Sequence, residues 1–113
     1  MGTFVEKLLR AGRANGSLLC VGLDPDPDLI PSGVSLDDFN RAIIDATKDL
    51  VCAFKPNLAF YEQYGIEGLN ALESTLAAIP DEVPVIGDAK RGDLGNTAAA
   101  YAKALFETWG FDA

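Results

Sequence analysis

Histidine is absent from this chain, and cysteine occurs twice in 113 residues. Without histidine, Cys20 and Cys52 are poor material for a metal site. Both lie in apolar runs, "LLCVGL" and "VCAFK", where a cysteine is expected to act as a small buried hydrophobe. Long apolar runs are missing too. None approaches the roughly 20 residues needed to span a bilayer, and the N-terminal "MGTFVEKLLRAGR" shows no secretory hydrophobic segment. The expectation is a cytoplasmic protein with no membrane partner. Cations are scarce, with 9 lysines and arginines against 17 aspartates and glutamates and a formal charge of -8. Wrapping a nucleic acid needs clustered cations, so nucleic acid is excluded as a partner. A small anionic substrate is not, because a few local cations decide that.

What remains is the composition of a globular domain, 49% hydrophobic and 23% charged. Residues 1–113 are expected to form a single domain. Thr3 and Glu6 have capping-box spacing before "FVEKLL", a short helix ended by "AGRANGS". "SLLCVGL" then reads as a strand leading into the loop "DPDPDLIP". A second helix carries Leu36, Phe39, Ile43, Ala46 and Leu50 at three- or four-residue intervals. "VCAFKPN" is a second strand, Ile66 to Ile79 a third helix ended at Pro80, and "VPVIGDAK" a third strand. The last helix, "NTAAAYAKALFETWG", places Tyr101, Leu105 and Trp109 on one face and stops at Gly110. The order is a helix followed by three strand–helix units, which implies an α/β fold around a parallel sheet buried on both faces. After Gly110, "GFDA" reads as the beginning of another strand. Since a complete eight-stranded α/β barrel needs about 250 residues, the expectation is the N-terminal part of a TIM (β/α)8 barrel.

Each strand ends its apolar run on an ionisable residue: Asp24, then Lys55, then Asp88 followed by Lys90. In a parallel sheet those ends share one side, the side where α/β barrels gather catalytic groups. Residues two apart on a strand share a face, so Asp88 and Lys90 are expected to point together, with Lys55 reaching the same space. Charges at strand ends are often merely solvated, and "DPDPD" is also a plausible turn. Recurrence at all three strand ends favours a built array. Arg91 and Gly92 read more simply, as a solvated arginine and a turn residue.

The motif "DAKRGD" has the Asp-x-Lys-x-x-Asp pattern and follows a third strand. With "GNTAAAYA" after it and "CVGLDPD" and "FKPN" before it, the sequence resembles the orotidine 5′-phosphate decarboxylase family, in particular its bacterial type 2 branch. The resemblance covers essentially the whole chain, and Leu94 stands where isoleucine is usual. It implies a carboxy-lyase that converts orotidine 5′-phosphate to UMP and CO2 in pyrimidine biosynthesis, with neither metal nor organic cofactor. It implies Lys90 as proton donor, Asp88 as the carboxylate beside the departing group, and Lys55 and Asp93 as members of the charge array. Asp24 and Lys55 would contact the ribose. Asp93 and Thr97 match positions that reach the partner's site in a homodimer. The phosphate- and pyrimidine-binding residues of the family are expected beyond Ala113, so the 113 residues alone would be poorly active. Two other readings remain open: a magnesium-dependent sugar-phosphate decarboxylase or synthase with the same motif, and a non-catalytic barrel fragment.

Overall fold

The computed structural model describes residues 2–113. Helix α1, Phe4–Asn15, begins on the expected capping box: the Thr3 hydroxyl accepts from Glu6 N at 3.2 Å, and the Glu6 carboxylate accepts from Thr3 N at 2.8 Å. It ends on left-handed Gly16, with φ 56°. Asn15 then donates to the carbonyls of Lys48 and Val51 at 3.0 and 2.9 Å. These bonds tie the end of α1 to the approach of the second strand.

Strand β1, Cys20–Gly22, runs parallel to β2, Ala53–Lys55, with Val21 opposite Phe54. The expected third strand is present only as two parallel bridges, Val85 to Phe54 and Asn57 to Asp88. The reason lies in β2's continuation. Phe54 N donates to Pro84 O, Ile86 N to Phe54 O, Asp88 N to Pro56 O and Leu58 N to Asp88 O. The missing rung is the one Pro56 would donate, and proline has no N–H. Beyond Gly110, Asp112 N donates to Val85 O at 2.9 Å and Gly87 N to Ala113 O at 2.7 Å. Residues 111–113 therefore lie against the third segment, as the start of a fourth strand would.

Helix α2, Leu36–Thr47, is capped by Ser35, whose Oγ accepts from Asp38 N at 3.1 Å. Its buried positions are Asn40 and Ile44, whereas Ala46 and Leu50 are exposed. Leu50 lies beyond the last helical turn, so the assumed stripe ran past the helix. A short helix absent from the sequence reading, α3 at Ala59–Glu62, follows β2 and is started by Asn57, whose side chain accepts from Ala59 N at 3.1 Å. Left-handed Gly65 (φ 62°) separates it from α4, Gly65–Ala78, which stops before Pro80 with Ile79 extended. Helix α5, Gly95–Ala102, continues as a π-helical segment, Lys103–Thr108. The wider turn breaks the assumed face: Leu105 and Trp109 pack on the core, while Tyr101 stays at the surface.

The core lies between the sheet and the helices, built on Phe54, Ile44, Leu72, Val51 and Leu23, each 2% exposed or less. Burial of the sheet is uneven. Ala53 and Phe54, on opposite faces of β2, are both buried as expected, but in β1 Cys20 and Gly22 are exposed while Val21 is half-buried, which corrects the expectation of burial on both faces for that strand. It also corrects Cys20, which is exposed, whereas Cys52 is buried as expected. Partial burial and the neighbouring Cys52 raise the Cys20 thiol above its ordinary pKa, the opposite of an activated thiolate.

One polar network crosses this core. Asn40 donates to Tyr61 OH at 3.1 Å and to Thr75 Oγ1 at 2.9 Å, and Tyr61 OH donates to Leu23 O at 2.7 Å. Burial pushes the Tyr61 phenol above its ordinary pKa, so it remains a neutral donor. Its bond fixes the backbone one residue before Asp24. Tyr61→Phe is expected to destabilise the fold by about 1–3 kcal/mol, because it leaves the buried Leu23 carbonyl without its donor. Urea unfolding monitored by tryptophan fluorescence measures the loss.

Candidate active site

The third extended segment ends at Asp88, beside the C-terminal end of β2. Its carboxylate sits between two ammonium groups. Oδ2 lies 3.2 Å from Lys55 Nζ, and Oδ1 lies 2.6 Å from Lys90 Nζ. Lys55 is placed by the parallel register that sets Gly22 opposite it, and Asp88 by the bonds on either side of Pro56. The side chain of Asp88 is 25% exposed and that of Lys90 70%, so the array opens outward from a half-sheltered anion.

Lys90 arrives there by an unexpected route. It is not a strand residue, but has φ 52°, the left-handed conformation. For a residue with a Cβ this costs about 1–2 kcal/mol. A lysine held there in the strand–helix connection before α5 marks a site whose surroundings enforce the geometry. Among the described non-glycine residues it alone has positive φ.

The hydrogen bonds from Lys90 first, and from Lys55 second, hold the Asp88 carboxyl below its ordinary value of 3.8. The folded-state pKa is depressed, so the Asp88 contribution to stability is present above the unfolded value. It is lost as pH falls through the lower folded value. Carbon-13 NMR titration of the Asp88 carboxyl should show a midpoint below 3.8. In Lys90→Ala, which removes the larger cause, that midpoint should move upward.

The other candidates lie outside this triad. Asp24, at the end of β1, accepts from Asn57 N at 2.9 Å and so faces the loop that follows Lys55. Asp93 turns back on its own loop, its Oδ1 accepting from Leu94 N at 2.7 Å. Thr97 is exposed in the first turn of α5. Neither Asp93 nor Thr97 joins the ion pairs around Asp88 within one chain. Arg91 is not the solvated arginine of the sequence reading: it donates to Ala89 O at 2.6 Å, pairs with Glu62 on α3 and lies 5.8 Å from the Tyr101 ring centroid. Its partner Glu62 went unnoticed because α3 did; the Asn57 turn signal was the available clue. An apolar groove of about 490 Å3, lined by Leu8, Leu9, Leu18 and Cys52 among others, lies at the N-terminal ends of the strands. It is away from the charges and lacks reactive groups apart from Cys52.

A mixed-charge triad at the C-terminal ends of parallel strands agrees with the motif, and comparison with known proteins decides the family. A profile of the orotidine 5′-phosphate decarboxylase / HUMPS family matches residues 17–113. The chain belongs to that family. It is 57% identical to the orotidine 5′-phosphate decarboxylase of Thermomicrobium roseum over 116 aligned positions, covering 98% of this chain and 41% of the relative. Against the protein of the same name from Dehalococcoides mccartyi (strain 195) it is 55% identical, covering 96% and 40%. Among solved structures, Leishmania donovani OMP decarboxylase superposes with a TM-score of 0.84 at 34% identity, over 98% of this chain and 42% of that one. A Toxoplasma gondii structure gives 0.91 at 44% identity, over 97% and 39%. The chain thus spans about two-fifths of the length of these relatives, and its α/β fold is that of part of a decarboxylase barrel.

Proposed function

We propose that these residues form the acid–base half of an orotidine 5′-phosphate decarboxylase, a carboxy-lyase releasing UMP and CO2. The observation that carries the reading is Asp88 held between Lys55 and Lys90, with Lys90 set in a left-handed turn. Breaking the bond between the pyrimidine C6 and its carboxylate expels CO2 and leaves an electron pair on C6. No neighbouring group spreads that charge. A fixed ammonium at C6 stabilises it and then transfers a proton, forming the C–H bond of UMP. Lys90 is that donor; its neutral amine recovers a proton from water. Asp88 faces the substrate carboxylate and holds both lysines. Lys55 and Asp24 contact the ribose hydroxyls.

Asp93 and Thr97 lie apart from the triad, which agrees with a homodimer in which they enter the partner's site. The scheme uses neither metal nor organic cofactor, and the compartment proposed for it is the cytoplasm. Residues 1–113 act as one domain, an incomplete barrel that turns over poorly alone, because remote binding of the substrate phosphate supplies much of such an enzyme's transition-state stabilisation. The magnesium-dependent synthases of the superfamily are the rival. The name carried by the relatives above favours the decarboxylase.

The test compares the isolated chain with a fusion to the remaining length of the Thermomicrobium roseum relative. Orotidine 5′-phosphate should be decarboxylated by the fusion, with or without a chelator, and far more slowly by the chain alone. An inactive fusion, or one that needs magnesium, contradicts the decarboxylase. Near-equal turnover by the isolated chain contradicts its role as half a site.

A further inference from the structure

We propose that Arg91 is a positioning residue that locks the backbone of Lys90 and so aims its ammonium at Asp88. Arg91 Nη1 donates to Ala89 O at 2.6 Å. That bond runs from the residue after Lys90 to the carbonyl before it, so it closes a ring containing the two backbone torsions of Lys90. Freeing either torsion requires breaking it. The ring is anchored at both sides. The other terminal nitrogen, Nη2, pairs with Glu62 on α3, the helix following the strand that carries Lys55, and the guanidinium lies near the face of Tyr101 on α5. The Arg91 side chain is 28% exposed, against 70% for Lys90. The brace is thus the more sheltered element and the amine it positions the freer one.

The fork of a guanidinium is needed for this. One nitrogen holds the carbonyl, the other holds the carboxylate, and the planar group presents a face to the ring. A lysine ammonium is a point charge and does not satisfy that geometry at once. The left-handed φ of 52° at Lys90 then has a local cause. The loop has no helix or strand of its own to impose it, and Gly92 on the far side leaves the chain permissive.

The functional meaning of this brace rests on Lys90 being the reacting amine; its mechanics do not, and the two are separable. Competitive acylation with acetic anhydride, read residue by residue by mass spectrometry, reports how freely each lysine amine reacts. In the folded 113-residue chain, Arg91→Met and Arg91→Lys should each raise the Lys90 rate about fivefold, because its charge-assisted bond to Asp88 is broken more often. Lys55, held to the same carboxylate from β2, should change less than about twofold, as should distant Lys103. Glu62→Gln, a gentler change, should raise Lys90 in the same direction by a smaller factor. An unchanged Lys90 rate overturns the proposal. So does a common rise at all three lysines, which would mark general loosening of the fold. In the fusion described above, Arg91→Lys should lower kcat with KM little altered, and a change in KM alone also contradicts positioning. Wild-type fusion without decarboxylase activity would remove the proposed function while leaving the acylation result readable.

Discussion

Lys90→Ala is expected to lower kcat/KM for orotidine 5′-phosphate by about 10⁴-fold or more in the fusion protein. Two effects disappear together. General-acid transfer by a positioned group contributes about 10²–10⁴-fold, and loss of one preorganised donor at a developing anion costs about 10²–10³-fold. The two act through one ammonium and are not additive, which sets the expectation near the upper end of either alone. The same substitution removes the larger of the two hydrogen bonds that depress Asp88. Folding should be little affected, since the Lys90 side chain is 70% exposed and alanine keeps the Cβ. Steady-state assay together with urea unfolding separates the two: a large loss of rate with an unchanged unfolding midpoint. A variant that retains a tenth of the rate would exclude Lys90 as donor.

The largest effect on stability is expected at Gly68, in the first turns of α4. A Cβ there would lie 1.7 Å from the Tyr61 carbonyl oxygen and 2.7 Å from its carbon. Both are backbone atoms, so no side chain can swing away. Tyr61 cannot yield easily either, being fully buried and hydrogen-bonded to Leu23 O and Asn40. Gly68→Ala therefore has to displace α3 from α4, at a cost of about 3 kcal/mol. Gly92→Ala is the control, with nothing within 4 Å of its Cβ, and should change stability by about 0.5 kcal/mol or less. Thermal unfolding of the three proteins measures both. Equal midpoints for Gly68→Ala and the native chain would contradict the packing described.

Much of this architecture could be read from residue pattern. The capping box at Thr3 and Glu6, the proline stop after α4 and the left-handed Gly110 all act locally, and each lies where the sequence places it. Features set by tertiary structure were not legible. Pro56 breaks a ladder whose partner is thirty residues away. Asn40 resembles a surface residue on α2 until Tyr61 and Thr75 close around it. The exposed Cys20 follows from the uncovered face of β1, whereas its apolar neighbours suggest the core.

The charged residues at the strand ends were legible as a group, because parallel strands bring their C-terminal ends together. The placement of Lys90 was reached by the wrong argument. Strand alternation put it beside Asp88, yet its left-handed backbone does so instead. Arg91 was misread for a related reason: its significance depends on Glu62 in a four-residue helix too short to leave a periodic signal. Asp93 and Thr97 stand away from the triad within one chain, so their assignment depends on a second subunit.

If Lys90 is the proton donor proposed above, transfer between its ammonium and C6 also runs backwards. In deuterium oxide, the native fusion should exchange the C6 proton of UMP for deuterium, visible as slow loss of one proton NMR signal, and Lys90→Ala should abolish that exchange while still binding UMP. Undiminished exchange in the alanine variant would contradict the account, because the proton would then reach the carbon by another route.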